Sequence, residues 1–193
     1  ILMLADPCEP HTIKWVDAIT NRGLEVVLFS FVSADTRFYR NRRQLTFYDC
    51  GLSREVVTLR DGHLSKLRYL RALPALKKII RKHQPDILHA HYASGYGFIG
   101  ALTGFQPFVL SAWGSDVLHF PGISPLHKGL IRFVLRRARQ VCSTSHYMVP
   151  AIESLGGKSP EVVPFGVDTD VFYREREAQS RQEVVLGSIK NLK

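Results

Sequence analysis

Acidic residues are nearly missing from the middle of this chain. Between Gly62 and Ile152 only Asp86 and Asp116 carry negative charge, against twelve Lys and Arg, a balance of +10 in a chain whose net charge is +9. Cysteine is sparse as well. The three residues Cys8, Cys50 and Cys142 are odd in number and in no metal-ligand spacing, which fits reduced cytosolic thiols better than a disulfide framework. No apolar run approaches the roughly 18 residues of a membrane span. The opening Ile1–Ala5 is too short for a signal-peptide core and has no basic flank, so it reads as a strand. There is no G-x-G-x-x-G and no G-x-x-x-x-G-K-[ST], which disfavours dinucleotide and P-loop chemistry. There is no G-x-S-x-G either, which disfavours a serine hydrolase. Nucleic acid is disfavoured as a partner because no helix-turn-helix, zinc-finger or RNA-binding signature accompanies the charge.

What is present is strand–helix alternation. With 193 residues and 45% hydrophobic content, the chain suits one α/β domain and is too short for two. Glu25–Val32 is a continuous β-branched and aromatic run, the pattern of a strand buried on both faces. Further strands are expected at Leu45–Tyr48, Val56–Leu59, Asp86–His91, Phe108–Ser111, Gln140–Ser143 and Glu161–Val163. Helices are expected from Thr12, as a cap, to Asn21, from about Leu64 to His83 with a break at Pro74, over Gly95–Thr103, and over Ser145–Leu155. The segments from Lys66 to Lys82 and from Lys128 to Arg139 interleave apolar and basic residues at helical spacing. They read as amphipathic helices with a basic outer face, either solvated or set against an anionic membrane leaflet.

The pattern implies a Rossmann-like three-layer sandwich with a mostly parallel sheet. In such sheets ligands bind beyond the carboxyl ends of the strands. That rule selects the loops 6–12, 33–44, 89–95, 111–118, 143–146 and 164–170. In the first, Pro10, His11 and Thr12 open a helix whose free amides suit phosphate; simple capping by Thr12 is the alternative. In the third, His89 and His91 share one side of a strand. A buried, hydrogen-bonded imidazole is the plain reading of His89, whereas His91 and Tyr92 lie nearer the strand end. The loop Trp113-Gly114-Ser115-Asp116 offers Asp116 as a candidate base or hydroxyl-orienting group, or merely a turn residue. In the last loop, Gly166, Val167 and Asp168 follow Pro164, and Asp168-Thr169-Asp170 more often closes a turn than binds metal.

Five segments in order resemble the N-terminal domain of a family 4 retaining glycosyltransferase with the GT-B fold. They are Asp6 to Trp15, Asn21 to Val26, Gln84 to Tyr92 (similar to a PDiiHaHy pattern), Ser111 to Asp116 (similar to a WGSD subgroup) and Val163 to Phe172. The resemblance implies an acceptor-binding half. A second Rossmann-like domain would hold a nucleotide-sugar through an E-x7-E element, with no metal and no tightly bound cofactor. It places Pro10, His11 and Thr12 near the donor phosphates. It puts His91, Tyr92 and Trp113 on the acceptor side, and Gly166, Val167 and Asp168 at the cleft border. Trp113 stands where many relatives carry a His that touches the transferred sugar, and Phe165 stands where Asn is usual.

The expected division is residues 1–172 as this domain, with 173–193 as linker and first strand of the partner domain. The fragment alone is then expected to be inactive. The expected partners are that C-terminal domain, a polysaccharide or lipid-linked acceptor, and the cytoplasmic face of a membrane. A non-catalytic carbohydrate- or nucleotide-binding module is the alternative.

Overall fold

A computed structural model describes residues 1–33, 39, 43–58 and 64–173. Most of loop 33–44, Leu59 of the expected strand Val56–Leu59, and the expected partner-domain strand Val184–Ile189 lie outside the described residues. Among the described residues seven strands form one sheet: β1 (Leu2–Leu4), β2 (Val26–Val32), β3 (Leu45–Leu52), β4 (Leu88–His91), β5 (Phe108–Ala112), β6 (Gln140–Ser143) and β7 (Glu161–Val162). Their order is β3-β2-β1-β4-β5-β6-β7 and every pairing is parallel. All seven residues of β2 are buried, because a parallel strand needs apolar cover on both faces.

The helices are α1 (Pro10–Thr20), α2 (Arg54–Thr58), α3 (Ala72–His83), α4 (Phe98–Thr103), α5 (Ser115–Leu118), α6 (Pro125–Arg137) and α7 (Val149–Ser154). Right-handed crossovers sort them onto two faces. One face carries α1 over a small core of Met3, Ala5, Val16, Ile19, Val26 and Leu28. The other carries α3, α4 and α6 over a larger core that includes Leu76, Ile99, Ile131, Val134 and Leu135. Each such side chain, fully buried, contributes about 1.5–3 kcal/mol.

Strand alternation divides β4 between the two faces. Leu88 and Ala90 enter the larger core, while His89 and His91 face α1, where Trp15 meets both rings. Small residues let α4 and the turn before it lie close to the sheet. A Cβ on Gly100 would sit 3.1 Å from Leu88 and Phe108 side-chain atoms, and one on Gly97 only 2.7 Å from Leu110 Cδ1.

Several elements differ from expectation. The segment from Val56 is helical: α2 begins at Arg54, and its Glu55 suits the positive end of a helix. Residues 64–71 form a 3₁₀ run and α3 starts only at Ala72, with Pro74 inside its first turn, where a missing N–H costs nothing. Likewise α1 begins at Pro10, not at a Thr12 cap. Glu9 occupies the cap position and its side chain makes no capping bond.

β1 and β4 are paired neighbours, but the chain leaves their carboxyl ends in opposite directions. From β1 the chain runs to β2 on one side; β4 and later strands extend on the other. This is the point at which an open α/β sheet leaves a crevice.

Candidate functional site

The crevice is lined by a run of rings. His11, on the first turn of α1, stacks on Phe165 with centroids 3.5 Å apart and planes 8° from parallel. Trp113 stands edge-on to both, at 5.8 Å from His11 and 5.5 Å from Phe165. Behind it His91 lies 5.2 Å from Trp113 and 4.6 Å from His89. So the structure brings His11, His91 and Trp113, from three loops, into one cluster. Tyr92 joins its rim through a 2.8 Å hydroxyl contact with Ser115.

Among the described residues, three polar side chains in this cluster are buried without a hydrogen-bond partner: Thr12 at Oγ1, His91 at both ring nitrogens, and Trp113 at Nε1. Such groups normally find partners, and each orphan costs about 1–3 kcal/mol. Burial, then the neighbouring His89 and His11, holds the His91 imidazole well below its ordinary pKa. It is therefore neutral, with one donor and one acceptor nitrogen. His89 differs. Burial lowers its pKa to about 4, and its Nε2 is satisfied by Ser111 Oγ at 2.9 Å. His89 is thus the hydrogen-bonded core imidazole that the sequence suggested.

His11 is half-exposed, and its pKa is lowered by burial first and by Lys14 second, with Glu9 opposing. The His11 and Thr12 amides stand in the first turn of α1, where no intrahelical acceptor precedes them. Pro10 supplies the fixed φ that starts the helix. The preceding loop is pinned by Asp6, whose Oδ1 accepts the Cys8 amide at 2.9 Å and whose carboxylate meets Arg54 at 3.2 Å.

Asp116 departs from its expected role. It is completely buried. Its Oδ2 accepts the Ala93 amide at 2.7 Å, and its Oδ1 accepts those of Gly114 at 2.8 Å and Trp113 at 3.1 Å. Burial raises its pKa while these amides and its own pull the other way. A carboxylate so occupied presents nothing to a substrate. The candidate base is corrected to a clamp that fixes the β4 and β5 exit loops against each other. The β4 exit needs fixing most: Tyr92 has φ 72°, which costs a non-glycine residue of order 1–3 kcal/mol, whereas Gly114 takes its φ of 137° without that cost.

The 164–170 loop reaches α1 through Phe165 and through Lys14 Nζ, which donates to the Gly166 carbonyl at 2.9 Å. Val167 and Asp168 are exposed beyond that contact. Asp168 Oδ1 accepts the Asp170 amide at 3.0 Å, closing a turn. Two residues escaped the sequence reading as site members, Trp15 and Phe165. Trp15 lies four residues after His11 and so on the same helix face. That spacing was a usable signal. Nothing local marked Phe165 as a stacking partner.

A family model of glycosyl transferase 4-like proteins matches residues 1–145. The chain belongs to that family. Among curated proteins no sequence relative is found. Solved structures agree on the fold. HepE of Anabaena, solved with UDP, superimposes with a TM-score of 0.60 at 16% identity, covering 88% of this chain and 45% of its own. MurG of Acinetobacter baumannii gives 0.54 at 14%, covering 86% and 46%. A sucrose-phosphate synthase structure from Thermosynechococcus elongatus gives 0.59 at 13%, covering 89% of this chain and 91% of that one. At such identities the likeness shows the fold alone. The chain spans about 45% of the length of HepE, so it corresponds to one Rossmann-like half of a GT-B fold.

Proposed function

We propose that this domain is the acceptor-binding half of a glycosyltransferase that moves a sugar from a nucleotide-sugar to a polysaccharide or lipid-linked acceptor. The observation that carries the reading is the trio of buried, unpartnered polar groups on Thr12, His91 and Trp113 beside the open first turn of α1. A sugar offers hydroxyls that both donate and accept, which matches a neutral imidazole, an indole N–H and a Thr hydroxyl. Trp113 and Phe165 add apolar faces of the kind on which sugar rings rest. The donor diphosphate would approach the His11 and Thr12 amides and the positive end of α1. A second domain would hold its nucleotide, and Gly166, Val167 and Asp168 would border that approach. HepE, a structural neighbour, was solved with UDP.

In the reaction the bond from the anomeric carbon to the diphosphate oxygen breaks. A bond to the acceptor oxygen forms, and the acceptor proton leaves with the diphosphate. His91, Trp113 and Tyr92 orient the acceptor. Asp116 acts at one remove, by holding Trp113 in place. No resident cofactor is required, since the nucleotide-sugar is consumed as substrate. The acceptor side faces the cytoplasmic leaflet of a membrane. No helix among the described residues is long and apolar enough to cross one, so the contact would be peripheral.

The test is transfer from radiolabelled nucleotide-sugars to lipid extracts and polysaccharide primers by the full-length protein. Label should enter an extractable product, and far more slowly in His91→Phe at limiting acceptor. Nucleotide-sugar binding with no transfer to any acceptor would instead favour a non-catalytic carbohydrate- or nucleotide-binding module.

A further inference from the structure

At the carboxyl-terminal end of the sheet, on the face covered by α3, α4 and α6, three segments expose apolar side chains. Leu67 and Leu70 project from the 3₁₀ run that precedes α3, Ile123 and Leu126 from the start of α6, and Tyr147 from the turn after β6. Leu126 and Tyr147 are each 80% exposed. These are not loose tips. Tyr69, between Leu67 and Leu70, is buried and stacks on Phe31 at 4.1 Å. Phe31 in turn stacks on Tyr96 at 4.2 Å. The Ile123–Leu126 bend is fixed by Ser124, whose hydroxyl meets His127 Nδ1 at 2.7 Å. Core packing therefore holds the leucines outward.

The cations share this end. Arg68 and Arg71 alternate with the leucines of the 3₁₀ run, Lys128 follows Leu126, and all three are exposed. Behind them the outer faces of α3 and α6 continue the charge with exposed Lys77, Lys78 and Arg81, and with Arg132 and Arg136. In the sequence from Leu64 to Ile152 the only acids are Asp86 and Asp116, with Glu55 of α2 and Glu153 of α7 flanking that stretch. Asp86 lies at the opposite, amino-terminal end of β4, and Asp116 is buried. Apolar tips among cations match a lipid surface, whose acyl boundary takes leucine, isoleucine and tyrosine while its phosphates take Arg and Lys. They match nucleic acid less well, since it has no use for exposed aliphatic tips.

We propose that Leu67, Leu70, Ile123, Leu126 and Tyr147, with Arg68, Arg71 and Lys128, form a docking edge for an anionic bilayer. The edge lies at the end of the sheet where the Thr12–His91–Trp113 crevice opens, so docking would bring the crevice mouth to the leaflet. The inference draws on the preceding reading only for the direction from which an acceptor arrives. Binding itself is measured without turnover.

The experiment is co-sedimentation of the intact protein with vesicles of phosphatidylcholine alone and of an equimolar phosphatidylcholine–phosphatidylglycerol mixture. Strong partitioning is expected onto the mixed vesicles only. Leu126→Asp and Lys128→Glu should each weaken it by about fivefold or more. Leu24→Asp should leave it unchanged; that leucine is 50% exposed but lies at the other end of the sheet. Leu126→Asp should also keep wild-type turnover on a soluble acceptor, which separates a failure of docking from a failure of the transferase reading. Three outcomes would overturn the proposal: equal partitioning onto both vesicle types, equal loss in Leu24→Asp and Leu126→Asp, or no vesicle binding with salt-sensitive binding to duplex DNA.

Discussion

Both ring nitrogens of His91 are buried without partners, beside a Trp113 N–H and a Thr12 hydroxyl in the same condition. In a domain selected for stability alone, apolar side chains of similar shape would serve better. His91→Phe and Trp113→Phe are therefore expected to leave unfolding free energy unchanged or to raise it by about 1 kcal/mol. They should lower kcat/KM at least tenfold, mainly through the acceptor KM. Denaturant melts and steady-state kinetics check the two halves separately. A loss of more than about 2 kcal/mol in either variant would mean that the polar groups serve the fold. At this scale the sequence was partly legible. The period of two placed His89 and His91 side by side, and a strand-end position distinguished them. It could not show that Ser111, one strand over, satisfies His89 and leaves His91 unserved, because that pairing exists only across the sheet.

Among the elements, the exit loops of β4 and β5 depend on one carboxylate. Asp116→Ala would strand the amides of Ala93, Trp113 and Gly114. It should cost about 3 kcal/mol and release Trp113 from its place against His91 and Phe165. Asp116→Asn, which keeps one acceptor oxygen, should fall between wild type and Ala. Activity should follow stability across this pair, with no new pH-dependent limb, because the carboxylate does not exchange protons with substrate. A pH–rate profile that loses its acidic limb in Asp116→Asn at unchanged stability would restore the general-base assignment. The Ser115-Asp116 pair had suggested a turn and a base equally. The Trp113 and Gly114 amides are local, but burial and the contact with the Ala93 amide, 23 residues away, favour the clamp and are not encoded within the loop. The strands were more legible. β6 lies at the expected Gln140–Ser143, and the β-branched and aromatic run read at Glu25–Val32 became β2, buried along all seven residues. The segment at Val56 misled because Val-Val is as compatible with one helical turn as with a strand end.

For the whole molecule, two neutral imidazoles under α1 couple stability to pH. The pKa of His89 in the folded state is about 4 against 6.5 when unperturbed, so between those values the unfolded chain binds more protons than the folded one. Stability is then complete above about pH 6.5 and falls as pH drops toward 4, by roughly 3 kcal/mol from this group alone. His91 is shifted in the same direction and deepens the loss. Chemical denaturation at a series of pH values should show His89→Gln losing less stability than wild type across that window. Parallel curves would place the acid sensitivity elsewhere. The domain's Rossmann-like fold was legible from strand–helix alternation, and its family from five short segments in sequence. The identity of the sugar was not, since the groups that would read it come from loops separated by up to about 150 residues and are defined only by what they leave unsatisfied.

The most direct test of the central claim is a crystal structure of the full-length protein with a nucleotide-sugar and its acceptor. The account predicts acceptor hydroxyls within hydrogen-bond distance of a His91 ring nitrogen and of Trp113 Nε1, with donor phosphate at the first turn of α1. A productive complex in which Thr12, His91 and Trp113 remain unpartnered and the sugar lies elsewhere would contradict it.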